Sequence, residues 1–322
     1  MLRPLRLGLV VNPRANAGRD QSLRLGEFCE RLRQAGHHLT LEETAGPGGG
    51  ADAAQRLVAG SDLLLAVGGD GTFCEAVGGL LTGQIGPVQA LVPISFGTGN
   101  DVARHLGLHR EEAVLGAIQR FASAMSLAGS GVHRMDVLEV RCQCDGQEVV
   151  RHGFLFAAVG FASDILRHTT PRVKRWFGPH LSYKVGFFRA LAQWQAVRLQ
   201  VRTERGTCDE PLVVALAANA SFAGGGGMRI APDADLADGL SEVSLIRALG
   251  RWAIARQFFR LTQGTHVDHP RVDYFKSGWM EVDAATPQAV AVDGDVVGET
   301  PLRVTVLRQA VPVLVAPAAA SS

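Results

Sequence analysis

A doubly wound α/β domain followed by a β-rich domain is the fold class this chain predicts, on three observations. In the first third, apolar runs alternate with segments whose apolar residues recur every three or four positions. Past Ser130 the segments shorten, alternate in polarity and lie between turn residues. The length, 322 residues with 47% hydrophobic content, exceeds what a single core usually serves, so two domains that are not fully independent follow.

The runs Leu5 to Val11, His38 to Glu42, Leu63 to Val67 and Ala90 to Ile94 read as strands buried on both faces. Gln21 to Ala35, Ala51 to Ala59 and Thr72 to Leu81 read as the helices around them. Strand and helix in alternation imply parallel pairing through right-handed crossovers. The first domain is expected over residues 1–132. Residues 133–316 are expected to form an antiparallel sandwich or barrel interrupted by helices near Tyr183 to Gln195 and Arg251 to Gln263. Its last strands, PLRVTVLRQAVPVLVA, have the character to pair with either domain, including a return to the first.

Composition removes some function classes. With 32 Lys and Arg against 31 Asp and Glu the net charge is +1, so no global field draws the chain to nucleic acid. The five cysteines lack zinc-ligand spacing, which suits a reduced, cytoplasmic chain. The opening MLRPLRLGLVVNP stops at Asn12-Pro13 without a cleavage site and reads as a first strand rather than a signal peptide. No apolar segment approaches the ~18 to 20 residues that cross a bilayer. Contact with a membrane is therefore expected from the side, at its inner face.

Two glycine loops carry the chemistry. AVGGDGTFCEA (Ala66 to Ala76) and SFGTGND (Ser95 to Asp101) each follow a strand and lead toward a helix, where open parallel sheets bind ligands. Either loop alone is explained as well by tight turns and helix caps; neighbouring loops that share glycine, threonine and aspartate are harder to explain that way. An aspartate beside a phosphate is repelled unless a cation lies between them.

Five motifs in order, NPRANAG (Asn12 to Gly18), GGDGTFCE (Gly68 to Glu75), GTGND (Gly97 to Asp101), GGGMRIAPDADLADG (Gly225 to Gly239) and VDGDVVGETP (Val292 to Pro301), resemble the diacylglycerol kinase catalytic domain family and its bacterial lipid kinase branch. The resemblance spans nearly the whole chain. It implies ATP-dependent phosphorylation of a lipid hydroxyl, with the nucleotide held between the two domains. The implied nucleotide contacts are Gly68, Gly69, Asp70, Gly71 and Thr72, with Asn12, Thr44, Gly97, Thr98 and Asn100.

Magnesium commonly bridges carboxylates and phosphate oxygens, and Asp70, Asp101 and Asp136 are the acids for such a network, with Asp70 also counted as catalytic. The family's proton acceptor ends a DGE triplet; here the triplet is Asp293-Gly294-Asp295, which withdraws the carboxylate by ~1.5 Å. Asp295 as base, Glu299 as its substitute, or a weakened kinase are three readings, of which Asp295 is favoured. The resemblance further implies a structural magnesium on Asp238, with backbone oxygens of Asp235 and Leu240.

Between Asp164 and Glu204, Arg167, Arg172, Lys174, Arg175, Lys184, Arg189 and Arg198 are interleaved with Trp176, Phe177, Tyr183, Phe187, Phe188 and Trp194, without an acid among them. This suits the headgroup zone of an anionic bilayer and equally an amphipathic helix capping the sandwich. The expected partner is a lipid substrate at the membrane surface, with pairing of two subunits through a sandwich edge left open. An NAD kinase, which shares GGDGT, and a non-catalytic lipid or nucleotide regulator are the alternatives.

Overall fold

The structure is a computed structural model that describes residues 3–15, 19–46, 48–83, 88–95, 100–169 and 185–316. The chain divides into two compact units, Met1–Met135 with Gln309–Ser322, and Asp136–Arg308.

The first unit runs β1 (Arg6–Val11), α1 (Arg19–Gln34), β2 (His38–Glu43), α2 (Gly49–Val58), β3 (Leu63–Gly68), α3 (Asp70–Thr82), β4 (Ala90–Ser95), α4 (Asp101–His105), α5 (Glu111–Ser123) and α6 (Leu127–Ser130). The strands stand in the order β4-β3-β1-β2, all parallel. β3 is buried at every position and β1 and β4 nearly so, as apolar runs covered on both faces should be. β2 departs from that expectation. HLTLEE lies at the edge of the sheet and is exposed or half-exposed throughout, because only β1 pairs with it. The helices begin about two residues earlier than the apolar periodicity indicates, since glycine and aspartate occupy their first turns.

The second unit carries β5 (Val132–Cys144), whose first residues belong to unit 1, β6 (Gln147–Gly153), β7 (Phe156–Gly160), α7 (Phe161–His168), a helix over residues 185–193 (α8), β8 (Val197–Thr203) and β9 (Gly206–Ala218). There follow β10 (Ser241–Arg247), α9 (Arg251–Gln263), β11 (Val272–Ser277), β12 (Trp279–Asp283), β13 (Ala289–Val292) and β14 (Asp295–Leu314). Pairing is antiparallel and closes on itself: β9 joins β7, β7 joins β13, β13 joins β14, β14 joins β12, β12 joins β8, and β8 returns to β9. Two long strands close this ring by changing partner midway. β9 pairs with β8 up to Leu212 and with β7 from Val214; β14 pairs with β13 up to Glu299 and with β12 over Leu302–Thr305. Inside lies an aliphatic core that includes Val140, Leu199, Val201, Val243, Met280, Val290 and Val304.

The end of β14 belongs to unit 1, where Val313 pairs in parallel with Leu91 of β4. The segment EVVRHGFLFAAVG forms two strands: β6 and β7 part at Phe154-Leu155. Asp293 explains the break. Its Oδ2 accepts the Phe154 N–H at 2.6 Å, and its Oδ1 accepts the N–H groups of Leu155 and Phe156 at 2.9 and 2.8 Å. Three backbone donors that a continuous ladder would have used are thus met by one carboxylate. Asn219, fully buried, adds donors from Nδ2 to the carbonyls of Asp136 and Phe154, both at 3.1 Å.

Asp293→Ala leaves those three N–H groups of β7 and its approach without their acceptor. It should lower the free energy of unfolding by about 3 kcal/mol or more, read from urea midpoints at constant m-value. Burial holds the His266 imidazole below the usual histidine range, against the opposing pull of the Ile230 carbonyl and Asp268; burial does the same to His152 and His37. The unfolded chain therefore takes up these protons first as pH falls. The stability they contribute is present above the ordinary value of 6.5 and lost as pH drops through the depressed folded values, and His266→Gln should flatten that acid limb in a pH series of melting temperatures.

Candidate active site

β1 stands between β2 and β3, so the connection leaving β1 runs one way along the sheet and the connection leaving β3 runs the other. Loops diverging from the carboxyl ends of adjacent parallel strands open a crevice, and the residues there are Asn12 after β1 and Gly68-Gly69 after β3.

Hydrogen bonds hold these turns in register. The Asn12 N–H donates to the Val67 carbonyl at 3.0 Å and the Thr44 N–H to the Val11 carbonyl at 2.9 Å. Asn12 Nδ2 donates to Thr72 Oγ1 at 3.1 Å, while its Oδ1 accepts the Arg14 N–H at 3.0 Å. The sequence-predicted residues Asn12, Thr44, Gly68, Gly69, Gly71 and Thr72 are therefore brought to one edge of the first unit. Thr44 and Thr72 are buried there. Gly68 is required by close approach: a Cβ there would collide with the Thr72 side chain.

The two carboxylates beside this crevice serve the backbone. Asp70 opens α3, where a negative charge suits the helix start, and its Oδ2 and Oδ1 accept the N–H groups of Asp101 and Val102 at 3.1 and 3.0 Å. It thus caps α4 from a distance of thirty-one residues. Glu75 was not singled out in the sequence, yet its Oε1 and Oε2 accept the Gly48 and Gly50 N–H groups at 2.7 and 2.8 Å, fixing the start of α2 next to Thr44. A Cβ on Gly50 would come within 2.6 Å of that carboxylate. The only sequence signal for Glu75 was its place one turn into α3. Asn100 holds the left-handed conformation (φ 56°) before α4, and Asp101 is buried. Gly97 and Thr98 lie outside the described residues. A cavity of about 300 Å³ beside Ile94 and Ser95, with Arg24, Phe28, His109 and Arg110 in its wall, belongs to the β4 side of the sheet and not to the β1/β3 crevice.

The metal expectations divide. Asp70 and Asp101 supply hard oxygen donors next to one another, a donor chemistry that fits magnesium. Asp136, fully buried in the second unit, gives its Oδ2 to the Gly239 N–H at 2.6 Å. Among the described residues no group of three or more His, Cys, Asp and Glu side chains is placed to hold a metal ion. Both oxygens of Asp70 and one of Asp136 accept backbone N–H groups, while Asp101 is buried.

Asp238, which the resemblance makes the carboxylate of a structural magnesium site, is engaged by donors of the chain itself. Asp238 Oδ1 accepts the Leu240 N–H at 2.9 Å, and Oδ2 is paired with the Lys276 ammonium at 2.6 Å. Asp235 turns its Oδ1 to the Ala237 N–H at 3.0 Å. The positive charge at Asp238 is the chain's own.

Asp293 and Gly294 form the β13–β14 turn with φ of 49° and 98°, positive at both central positions as the primed hairpin turn needs. Asp295, the first residue of β14, is exposed; Glu299 is exposed too and lies 3.7 Å from Arg167. Asp295 is thus the carboxylate of the triplet left to solvent, whereas Asp293 is spent on the backbone.

Residues 6–140 match the Diacylglycerol kinase catalytic domain family, and residues 156–315 match the YegS C-terminal NAD kinase beta sandwich-like domain. Diacylglycerol kinase of Staphylococcus haemolyticus is 26% identical over 296 residues, covering 91% of this chain and 83% of that protein. A Chromohalobacter salexigens protein named "Probable lipid kinase YegS-like" is 28% identical over 274 residues, covering 84% of this chain and 81% of its own. A diacylglycerol kinase structure from Bacillus anthracis str. Sterne shares the fold with a TM-score of 0.72 at 21% identity, covering 97% of this chain and 98% of that one. The two domain matches together span most of the sequence: the chain carries a diacylglycerol kinase catalytic domain followed by a YegS-type C-terminal NAD kinase beta sandwich-like domain.

Proposed function

We propose that this chain is a lipid kinase that transfers the γ-phosphoryl group of ATP to the hydroxyl of a diacylglycerol-like lipid. The observation that carries the nucleotide half is the β1/β3 crevice: a glycine turn at the switch point of a parallel sheet, leading into the N-terminus of a 13-residue helix whose first N–H groups suit a phosphate. The relatives named for diacylglycerol and lipid kinase activity support the acceptor half.

In this reading Gly68 to Gly71 bring backbone N–H groups to the phosphates, with Asn12 and Thr72 locking the turn. Thr44 stands at the neighbouring strand end, positioned through Glu75. Asp70 holds the start of α4, at Asp101 and Val102, in place. Magnesium, when bound near Asp70 and Asp101, would offset charge on the phosphate oxygens. Asp295 accepts the proton of the lipid hydroxyl as its oxygen bonds to the γ-phosphorus and ADP departs. Its carboxylate is exposed and its turn is rigidly tied by Asp293, which supplies the orientation that a shorter side chain demands.

Purified protein given labelled ATP and magnesium should transfer label to diacylglycerol in the organic phase and none to NAD; label on NAD, or on neither, refutes the reading. Asp295→Ala should cut turnover at least ~10²-fold while the melting temperature stays put, and Asp295→Glu should keep activity. Loss of melting temperature in step with activity would instead mark Asp295 as structural.

A further inference from the structure

Eight large hydrophobic side chains are exposed among the described residues, and the three aromatic ones, Phe188, Trp252 and Phe259, all lie on α8 and α9 of the second unit. Their exposures are 61%, 91% and 66%. The two helices are joined beneath by a ring stack, with Phe187 and Phe258 centroids 4.1 Å apart; Phe188 touches Phe187 edge-on at 5.4 Å and Phe259 flanks Phe258 at 6.2 Å. The outward rings are therefore the rim of a packed aromatic cluster whose inner side rests on Phe161, Val213, Leu249 and Ile254.

Charge on α9 is of one sign. RWAIARQFFRLTQ holds Arg251, Arg256 and Arg260 and no acid. Trp252, Arg256 and Phe259 follow at spacings of four and three, so they share one face. Among the described residues none of the three arginines makes an ion pair with a carboxylate. Arg251 stands in the first turn, where the helix dipole opposes a cation. Nearby His269 is held below its usual range by burial and then by Arg260, Arg256 and Arg271. A fully exposed tryptophan between arginines is costly in water. It suits a medium that is apolar at one depth and anionic at the next.

We infer that the outer face of α9, with Phe188 of α8, is the surface by which this chain docks on an anionic bilayer, the aromatic rings entering the headgroup zone and the arginines meeting lipid phosphates. The inference rests on the lipid-kinase reading for why the chain meets a membrane. Its test needs neither nucleotide nor turnover. The full chain is floated with phosphatidylcholine vesicles, with and without phosphatidylglycerol. Wild type should float with the anionic vesicles alone and release as salt rises.

Arg251→Gln, Arg256→Gln and Arg260→Gln combined should weaken partitioning roughly a hundred-fold. Trp252→Ser should weaken it while far-ultraviolet circular dichroism and activity on a short-chain, vesicle-free lipid stay as in wild type. Equal flotation of variants and wild type, binding that ignores vesicle charge, or no binding at all overturns the inference. So does a concentration-dependent dimer abolished by Trp252→Ser, which would assign the face to a second copy. Docking without phosphoryl transfer would leave the surface standing and sink the kinase reading; transfer without docking would do the reverse.

Discussion

The position of β1 between β2 and β3 is the constraint from which the candidate site follows. Four parallel strands put their carboxyl ends on one edge, and right-handed crossovers leave little freedom in where the helices go. Because chain direction along the sheet reverses at β1, the connections leaving β1 and β3 diverge from an edge where the turns at Asn12 and Gly68 are hydrogen-bonded together, and a gap opens between the two connections. The chemistry of the site is then a matter of what fills that gap without a side chain, which is why Gly68 meets Thr72 too closely for a Cβ. β3, buried at every position, anchors the loop to the most rigid part of the unit.

Carboxylates hold the polar backbone together at each turn that matters. Asp70 takes two N–H groups at the start of α4, Glu75 takes two at the start of α2, and Asp293 takes three before and within β7. Helix starts and interrupted ladders both leave donors unpaired, and a carboxylate satisfies them with stronger bonds than a hydroxyl or amide could. Motifs dense in acid therefore do not translate directly into metal ligands. In GGDGT and DGD one acid, Asp70 or Asp293, braces the backbone.

That division explains which features the residues alone disclosed. Periodicity and apolar runs are local properties, so β1, β3, β4 and the span of α9 followed from them. The exposure of β2 did not follow, because HLTLEE is an edge strand only by virtue of strand order. α7 was missed since it is eight residues long and starts directly from the end of β7. Glu75 and Asp293 escaped notice for a different reason: their partners, Gly48, Gly50 and residues 154–156, are distant in sequence and are backbone groups, which leave no residue-type signature. The basic and aromatic interleaving around residue 188 pointed toward a membrane. Much of it, including Arg172, Lys174, Arg175, Trp176, Phe177, Tyr183 and Lys184, lies outside the described residues, while the most exposed ring, Trp252, sits on a helix that the same compositional criterion passed over.

Lys276 shows how far family resemblance carries and where this chain's own residues take over. Its ammonium sits 2.6 Å from Asp238 and 3.6 Å from the buried Glu242. Burial raises the Glu242 carboxyl above the usual range, with Lys276 pulling it back and Asp233 adding to the rise. Hydrogen bonding to Asp238 first, then attraction to both acids, raises Lys276 itself despite its partial burial. Removing the ammonium would leave a carboxylate of 3% exposure without its compensating charge, the most expensive way to break such a group. A divalent ion at Asp238 would have to compete with a tethered cation whose chain entropy was already spent in folding, and would place two more positive charges within a few ångströms of the ammonium. Lys276 of β11 thus meets two of the acids here, Asp238 and Glu242, from within the sheet.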